Sequence, residues 1–349
     1  MANSRILFFG DLTETDFGIE QLLSQSEQSE HLNTYFNDAL AVSRETLNTL
    51  TLKDAEKYRL DSMPSLVGRV QGEESSSVIL RVLALCFAQI GHLIVRLEKD
   101  PDLRELWMNQ KLLMVASCAG QLAASLAATT RSINSLIEAA PSMLAVSIRA
   151  AFDADRKTDA AADDRSQSWA YAVFEISMQQ AADAANSFNK AKNIPITRHL
   201  YVGAASAWAT TVIGPPSLLT GFFATDPFPG KRNLALPIST LFHAEHLEAP
   251  DLSTIVGSAL IFDTLKLEVT PFISSDTGLL HAPQNLRGLA GEAVLNVNAR
   301  LTDNRKVFAK VKEIIGENSA TVFPIVAKKG ALRLSKALGE DRVSIETSD

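Results

Sequence analysis

The stretch from Leu112 to Ala128 contains no charged residue, and it restricts the possible folds of this chain more than any other segment. Its length approaches that of a membrane-spanning helix. However, polar residues such as Ser117 and Gln121 interrupt it, and alanine and serine are frequent. A buried strand over 111–116, a tight turn and a core helix from about Gln121 fit this composition better than a lipid-exposed span. The segment therefore predicts a strand–turn–helix unit, which is typical of parallel α/β sheets.

Other apolar patterns also predict an α/β fold with a mainly parallel sheet. Residues 6–9 form a continuous apolar run that stops at Gly10-Asp11, as expected for a buried strand. Apolar residues at near-helical spacing predict helices over 31–49 and 77–97. The last third of the chain adds a strand over 265–274, a helix over 285–298, a strand over 321–326, a helix after Gly330, and a polar tail over 340–349 that indicates the start of a linker.

A second, compact unit is predicted between residues 166 and 238. A polar connection rich in alanine and aspartate near residue 155 precedes it. The unit follows the order β-α-β-β-α-β, the split βαβ pattern of a ferredoxin-like fold. We therefore predict a large α/β subdomain over 1–165 and 239–349, with a ferredoxin-like small subdomain inserted at 166–238.

Charge and cysteine content exclude several classes of protein. The formal net charge is -7, whereas binding to phosphate backbones requires clustered cations, so no nucleic acid partner is expected. With only two cysteines, Cys86 and Cys118, the chain carries neither a secreted disulfide framework nor a multi-cysteine zinc site. The N-terminus shows no secretory or transit features. We therefore expect a cytoplasmic protein that does not bind a membrane.

Ala116-Ser117-Cys118-Ala119-Gly120 places a cysteine between the predicted strand and the following helix. A nucleophile at such an elbow exposes its side chain, and small neighbours let strand and helix approach closely. The helix N-terminus also directs N–H groups toward the sulfur, which favours the thiolate. Cys118 is therefore the candidate nucleophile, with a structural cysteine in a tight turn as the alternative. Cys86, inside a predicted helix, is interpreted as a buried apolar residue.

A nucleophilic cysteine requires a base, and the chain has six histidines. His243 and His246 follow the last predicted strand of the small subdomain, where the chain returns to the edge of the large sheet. Active sites of open α/β folds lie at such an edge. The His-Ala-Glu-His sequence lacks the His-Glu-x-x-His order and a convincing third ligand, so no metal site is predicted. A Walker loop and a Gly-x-Gly-x-x-Gly motif are both missing, which leaves nucleotide-driven chemistry without support.

Four motifs occur in an order that is typical of one family. Phe8-Phe9-Gly10-Asp11 resembles a Phe-Gly-Asp-Gln motif, and Ser117-Cys118-Ala119-Gly120 resembles a Gly-x-Cys-x-Gly elbow. Thr211-Val212-Ile213-Gly214-Pro215-Pro216 resembles a Thr-(apolar)-(small or apolar)-Gly-Pro-Pro segment, and His243-Ala244-Glu245-His246-Leu247 resembles His-Ala-x-His-Leu. Over residues 5–338 the chain resembles the starter-unit acyl carrier protein transacylase (SAT) domain that opens fungal non-reducing polyketide synthases.

The resemblance implies a malonyl-transferase-like α/β architecture with the active site between the two subdomains, and a ping-pong acyl transfer. Cys118 is expected to accept a starter acyl group as a thioester, with His243 as its base. The acyl group then passes to the phosphopantetheine thiol of an acyl carrier protein. The family further implies an oxyanion hole formed by the backbone N–H groups of Leu12 and Ala119, while His246 receives no chemical role.

Two positions are assigned to substrate binding, Gly120 of the elbow and Arg149 in the helix region that follows it. Asp153 lies four residues after Arg149, where the two side chains can pair on a helix surface. An arginine held in this way is a poor clamp for a substrate carboxylate, so we expect a neutral, short or unbranched aliphatic acyl group rather than malonyl. The alternative is that Arg149 faces the cleft.

The chain departs from the family pattern at two positions, because Ala116 replaces the first glycine of the elbow and Leu12 replaces the glutamine after Gly-Asp. A backbone N–H donor survives a change of side chain, so the oxyanion hole is still expected. No permanently bound cofactor is implied; the acyl donor is acyl-CoA or acyl-phosphopantetheine, and a ketosynthase domain is expected to follow in the same polypeptide. Two alternatives remain, a thioesterase-like hydrolase that uses the same dyad and a docking module whose elbow has decayed.

Overall fold

The computed structural model of the 349-residue chain describes residues 4–50, 58, 60–71 and 77–347. Its strands are β1 (Ser4–Phe9), β2 (Leu113–Ala116), β3 (Ala170–Phe174), β4 (Tyr201–Ala205), β5 (Ala209–Ile213), β6 (Asn233–Ala235), β7 (Lys266–Leu267), β8 (Gln284–Asn285), β9 (Thr302–Asp303), β10 (Ala320–Ile325) and β11 (Val343–Ile345). Its α-helices are α1 (Ile19–Ser26), α2 (Glu30–Leu50), α3 (Met63–Gln71), α4 (Val78–Lys99), α5 (Pro101–Met108), α6 (Gly120–Thr129), α7 (Ile133–Ala160), α8 (Met178–Ala191), α9 (Pro216–Ala224), α10 (Leu252–Val256), α11 (Ile261–Thr264), α12 (Leu286–Asn298), α13 (Asn304–Ile315) and α14 (Lys328–Leu338).

The large sheet consists of parallel strands in the order β11-β10-β1-β2. All four apolar residues of the run 6–9 in β1 are buried, because helices cover both faces of the sheet. One face packs on α4, α6 and α7, and the other packs on α13 and α14. The continuous apolar runs in the sequence are therefore those of parallel strands that are buried on both sides.

Among the described residues, two helices, α4 and α7, are long and apolar enough to cross a membrane by length and composition alone. Most of the apolar window of each is buried inside the fold, 89% for α4 and 67% for α7. Both helices belong to the core beneath the large sheet, where they contact each other and α6. The uncharged stretch 112–128 divides into β2, a turn and α6, as predicted.

The small sheet has the order β6-β3-β5-β4-β9. Its first four strands are antiparallel neighbours, and with α8 and α9 they follow the predicted β-α-β-β-α-β order. The two helices cover one face, while the other face turns toward the large subdomain. The fifth strand, β9, was not predicted. It comes from residues 302–303 of the large part and pairs in parallel with β4.

Three sequence expectations need correction. The polar connection near residue 155 is instead the last part of α7, where ion pairs such as Lys157–Asp153 neutralise the acidic side chains and let the helix continue. The tail predicted as a linker contains β11, which extends the large sheet beside β10. The strand predicted over 265–274 is reduced to β7 and isolated bridges. The subdomain boundaries at 166 and 238 stay a prediction. The strand β9 belongs in sequence to the large part of the chain but pairs with β4 of the small sheet, so the two parts share a sheet.

Candidate active site

A cavity of about 180 Å³ lies between the carboxyl end of the large sheet and the open face of the small sheet. Asp11, which follows β1, and Cys118, which follows β2, form its floor. Ligands of open α/β sheets bind at this edge, where neighbouring parallel strands end. His243 enters the same cavity from the segment that leaves the small subdomain.

Cys118 occupies the turn between β2 and α6 with a backbone φ of +46°. A non-glycine residue in this left-handed region is strained, which is the usual geometry of a nucleophile elbow. The turn is closed by hydrogen bonds from Gly120 N to Ser117 O at 2.9 Å and from Gln121 N to Cys118 O at 3.0 Å. The sulfur consequently projects into the cavity, whereas Cys86 is buried inside α4.

Gly120 does not line this cavity; it packs against β1 instead. A Cβ atom at this position would lie 2.3 Å from the carbonyl oxygen of Gly10 and 2.8 Å from that of Phe9. Only a residue without a side chain lets α6 begin so close to the end of β1. Gly120 therefore shapes the elbow, and the substrate-binding role assigned to it stays a prediction.

Cys118 and His243 form a dyad, with 3.1 Å between Cys118 Sγ and His243 Nε2. His243 Nδ1 lies 2.7 Å from the carbonyl oxygen of Asn296 and 2.9 Å from that of Arg300. Because both neighbours only accept, Nδ1 carries the proton and donates it to these carbonyls, which leaves Nε2 free to accept from the thiol. Backbone carbonyls therefore orient the imidazole, and no carboxylate does so among the residues described.

Burial raises the pKa of the Cys118 thiol, the Asp11 carboxylate raises it further, and the N–H of Ala119 opposes both. Burial also lowers the pKa of His243, against the two carbonyls that hold its ring. Both directions favour a neutral thiol beside a neutral imidazole. The sequence predicted that the helix N-terminus favours a thiolate, whereas burial and the Asp11 carboxylate raise the pKa of the thiol.

Asp11 is a site residue that the sequence interpretation missed. Its carboxylate accepts hydrogen bonds from Thr13 N at 2.8 Å, from Thr13 Oγ1 at 2.5 Å and from Ser117 Oγ at 2.8 Å. These bonds connect the loop after β1, which contains Leu12, to the elbow that contains Cys118. Leu12 lines the cavity, and Ala119 is the N-cap residue of α6 next to the sulfur. The signal in the sequence was an aspartate directly after a buried strand.

The wall opposite the dyad is apolar, and the sequence interpretation did not predict it. The open face of the small sheet and its exit segment supply small and branched side chains: Ala170, Ala172, Phe174, Ala204, Ala209, Ile213, Leu234, Leu236 and Ile238. Apart from Cys118 and His243, the ionisable side chains that line the cavity are Asp11 and Arg333. A neutral aliphatic group can be buried along such a wall without leaving a charge unpaired.

Arg149 does not reach the dyad. It lines a separate cavity of about 370 Å³ formed with residues of α2 and the segment after α10, and its Nη1 lies 3.4 Å from the carbonyl oxygen of Ile255. The predicted pairing of Arg149 with Asp153 is wrong. Asp153 instead accepts from Lys157 Nζ at 2.6 Å and from Asn298 Nδ2 at 3.1 Å.

His246 lies away from the sulfur, with its ring 4.6 Å from that of Tyr201 and 6.0 Å from that of His199. Burial and the neighbouring His199 lower the pKa of His246 to about 4. It is therefore neutral at ordinary pH and fills space behind the dyad. Among the residues that the structure describes, no group of three or more His, Cys, Asp or Glu side chains could hold a metal ion.

Comparisons with known sequences match most of the chain. A family model described as "Starter unit:ACP transacylase in aflatoxin biosynthesis" matches residues 7–243. A non-reducing polyketide synthase of Cladonia grayi is 32% identical over 258 residues, which make up 73% of this chain and 12% of that protein. Another, of Cladonia metacorallifera, is 31% identical over 339 residues, 96% of this chain and 16% of that protein. The chain thus spans only a small part of the length of these relatives.

Solved structures share the architecture. The MCAT of Mycobacterium tuberculosis superposes with a TM-score of 0.64 at 13% identity, covering 99% of this chain and 96% of that one. A malonyl-transacylase solved in complex with a type II PKS acyl-carrier protein gives a TM-score of 0.60 at 14% identity, covering 99% of this chain and 96% of that one. This likeness concerns the fold alone, and it confirms the predicted malonyl-transferase-like α/β class.

Proposed function

This chain belongs to the starter unit:ACP transacylase family, and from that premise we propose that it loads a starter acyl group onto Cys118 and transfers it to the phosphopantetheine thiol of an acyl carrier protein. The observation that carries the proposal is the 3.1 Å contact between Cys118 Sγ and His243 Nε2 at the floor of an apolar cavity. A decayed docking module would not be expected to keep this contact together with an oriented imidazole.

The proposed cycle begins with transfer of the thiol proton from Cys118 to His243 Nε2 as the sulfur attacks the carbonyl carbon of the donor thioester. The N–H groups of Leu12 and Ala119 donate to the oxyanion of the tetrahedral intermediate. Collapse of the intermediate breaks the bond to the donor sulfur, and the departing thiolate takes the proton back from His243. The products are acyl-Cys118 and a free donor thiol.

The second half of the cycle repeats these steps in reverse. The thiol of the carrier protein gives its proton to His243 Nε2 and attacks the acyl-Cys118 thioester. Cys118 leaves as a thiolate and recovers the proton, so the enzyme returns to its neutral resting pair. One thioester is exchanged for another in each half, and the reaction therefore requires no cofactor beyond the acyl donor, acyl-CoA or an acyl-phosphopantetheine.

The proposed acyl group is neutral, aliphatic, and short or unbranched. The wall formed by Ala170, Ala172 and their neighbours buries apolar surface, while the Asp11 carboxylate lies on the floor beside Cys118. A substrate carboxylate near Asp11 would meet charge repulsion and would need a cation. Arg149, the cation expected to supply it, lines a different cavity. Arg333 of α14 does line this cavity, but it is an exposed residue, whereas the wall along which the acyl group would lie is apolar.

The proposed partners follow from the relatives rather than from this chain alone. The relatives are named as non-reducing polyketide synthases and are several times longer, so we propose that a ketosynthase domain follows in the same polypeptide and that the chain starts polyketide synthesis. A cytoplasmic location is part of the same proposal, as is the absence of nucleic acid and membrane partners.

The test is intact-protein mass spectrometry after incubation with acetyl-, hexanoyl- or malonyl-CoA. We expect a mass increase of one acyl group in the wild type and in Cys86→Ala, which serves as the matched cysteine control, and no increase in Cys118→Ala. Addition of a holo carrier protein should move the acyl group to the carrier faster than free acid appears. Label retained on Cys118→Ala would refute the nucleophile, and faster release of free acid would identify a hydrolase.

A further inference from the structure

Arg81 is a cation that reaches the cleft from the large subdomain without lining the acyl cavity. It lies in the first turn of α4, directly after the buried residues Val78, Ile79 and Leu80. Burial lowers the pKa of its guanidinium, which nevertheless stays protonated because arginine cannot lose its proton in proteins. Its partly buried charge must therefore be stabilised by polar neighbours.

The guanidinium of Arg81 bridges two carbonyl groups from different parts of the chain. Its Nη2 donates to Leu12 O at 3.0 Å, and its Nη1 donates to Pro237 O at 3.0 Å. Within the described part of the chain, no carboxylate lies within ion-pair distance of Arg81. The planar fork of arginine suits this arrangement, since two donors leave in fixed directions; the single ammonium of lysine cannot reproduce it.

The two carbonyls belong to opposite walls of the active site. Leu12 follows β1 and is the proposed source of one oxyanion donor. Pro237 lies between β6 and Ile238, whose side chain lines the cavity on the side of the small sheet. Arg81 therefore fixes the distance between the oxyanion loop and the segment by which the chain leaves the small subdomain. It also places its positive charge against the carbonyl oxygen of the same residue whose N–H is proposed to meet the oxyanion.

We propose that Arg81 is a positioning residue for acyl transfer: it holds Leu12 by its carbonyl oxygen, so that the peptide preceding Leu12 presents its N–H to the oxyanion, and it anchors this loop to the small subdomain at Pro237. This inference rests on the proposed function, because the orientation of Leu12 matters only if its N–H receives an oxyanion. Arg81 touches neither substrate nor sulfur, so its effect is expected on the rate of acyl transfer and not on the affinity for the acyl donor.

The test compares Arg81→Ala and Arg81→Lys with Arg342→Ala in the hexanoyl-CoA loading assay. Arg342 is the matched control, since it also donates to two backbone carbonyls, those of Gly316 and Asn318, but lies at the far end of the large sheet. We expect Arg81→Ala to lower kcat by up to about 10²-fold, the usual cost of a misplacement near 1 Å, with KM nearly unchanged. Arg81→Lys should recover only part of the loss, because it cannot bridge both carbonyls.

Chemical rescue distinguishes positioning from a merely structural role. Guanidinium chloride, far below denaturing concentrations, should restore loading by Arg81→Ala several-fold, whereas sodium chloride at the same ionic strength should not. The same addition should leave Arg342→Ala unchanged. A wild-type rate in Arg81→Ala would overturn the inference, and so would a slow rate that guanidinium does not raise. Either result leaves the proposed function intact if Cys118→Ala is inactive. If the wild type itself takes up no acyl group, both the proposed function and this inference fail.

Discussion

Replacement of Gly120 by alanine should damage the elbow without touching the substrate. The new Cβ atom would lie 2.3 Å from Gly10 O and 2.8 Å from Phe9 O, and because these neighbours are backbone atoms, no flexible side chain can move aside. Relief requires α6 to move away from β1. Overpacking of this kind costs about 1–3 kcal/mol of folding free energy, partly offset by the lower entropy of alanine in the unfolded chain.

The same movement should slow acyl transfer, because Cys118 and Ala119 directly precede the displaced helix turn. A shift of roughly 1 Å at reacting groups costs about 10²-fold in rate. We therefore expect kcat for loading to fall on this scale in Gly120→Ala, with KM for acyl-CoA nearly constant, since Gly120 does not line the cavity.

Urea denaturation followed by circular dichroism gives the stability change, and mass-spectrometric loading gives the rate. The control is Gly221→Ala in the interior of α9, where the new Cβ would meet only the Phe188 ring at an ordinary 3.7 Å. This variant should gain about 0.5–1 kcal/mol from the replacement of glycine within a helix. If Gly120→Ala unfolds at the wild-type urea concentration and loads at the wild-type rate, the close approach of α6 and β1 has been misjudged.

Further predictions concern the dyad and the acyl group. His243→Ala should lower the loading rate by ~10²–10⁴-fold, the usual contribution of a positioned base, whereas His246→Ala should lower this rate much less. Equal losses in the two variants would contradict the assignment. Because burial lowers the pKa of His243 from its ordinary value of 6.5, the base stays neutral in mildly acidic solution, and kcat/KM for loading should fall only below that pH; an acid limb centred above 6.5 would refute this. Since burial raises the pKa of Cys118, its alkylation by iodoacetamide should keep accelerating at alkaline pH beyond the range where an exposed cysteine levels off; a plateau near neutral pH would indicate a resting thiolate. Loading should favour hexanoyl-CoA over malonyl-CoA and should be unaffected by Arg149→Ala, and preferential malonyl loading that disappears in this variant would overturn the proposed substrate class.

The strand–turn–helix around Cys118 could be predicted from the sequence because local signals agree. An apolar run, a turn of small residues and an alanine-rich helix all require the same backbone path. The dyad was predicted through the resemblance rather than through geometry, since 125 positions separate Cys118 from His243. Spacing alone cannot bring such distant side chains together.

Other features depend on tertiary contacts that local patterns do not reveal. Asp153 has a possible cationic partner four residues away in each direction, Arg149 and Lys157, and the sequence favours neither. The structure selects Lys157, with Asn298 of another helix as a further donor to the carboxylate. In the same way β9 and β11 contain two and three residues, too few for any periodicity to emerge, and they exist because neighbouring strands offer free hydrogen-bonding edges.

The pairing of β9 with β4 is expected to limit which of the proposed acyl groups the cleft accepts. The carbonyl of Arg300 orients His243, and two residues later the chain joins the small sheet, so the imidazole and the apolar wall belong to one continuous hydrogen-bonded framework. Widening the cleft would require breaking these strand contacts, which makes its width nearly constant. A cavity of fixed width tolerates added length at its open end, where each further methylene contributes about 0.8 kcal/mol when buried, but it excludes side branches. Selection among acyl groups is therefore expected to depend on the shape of the carbon chain more strongly than on the number of its carbons.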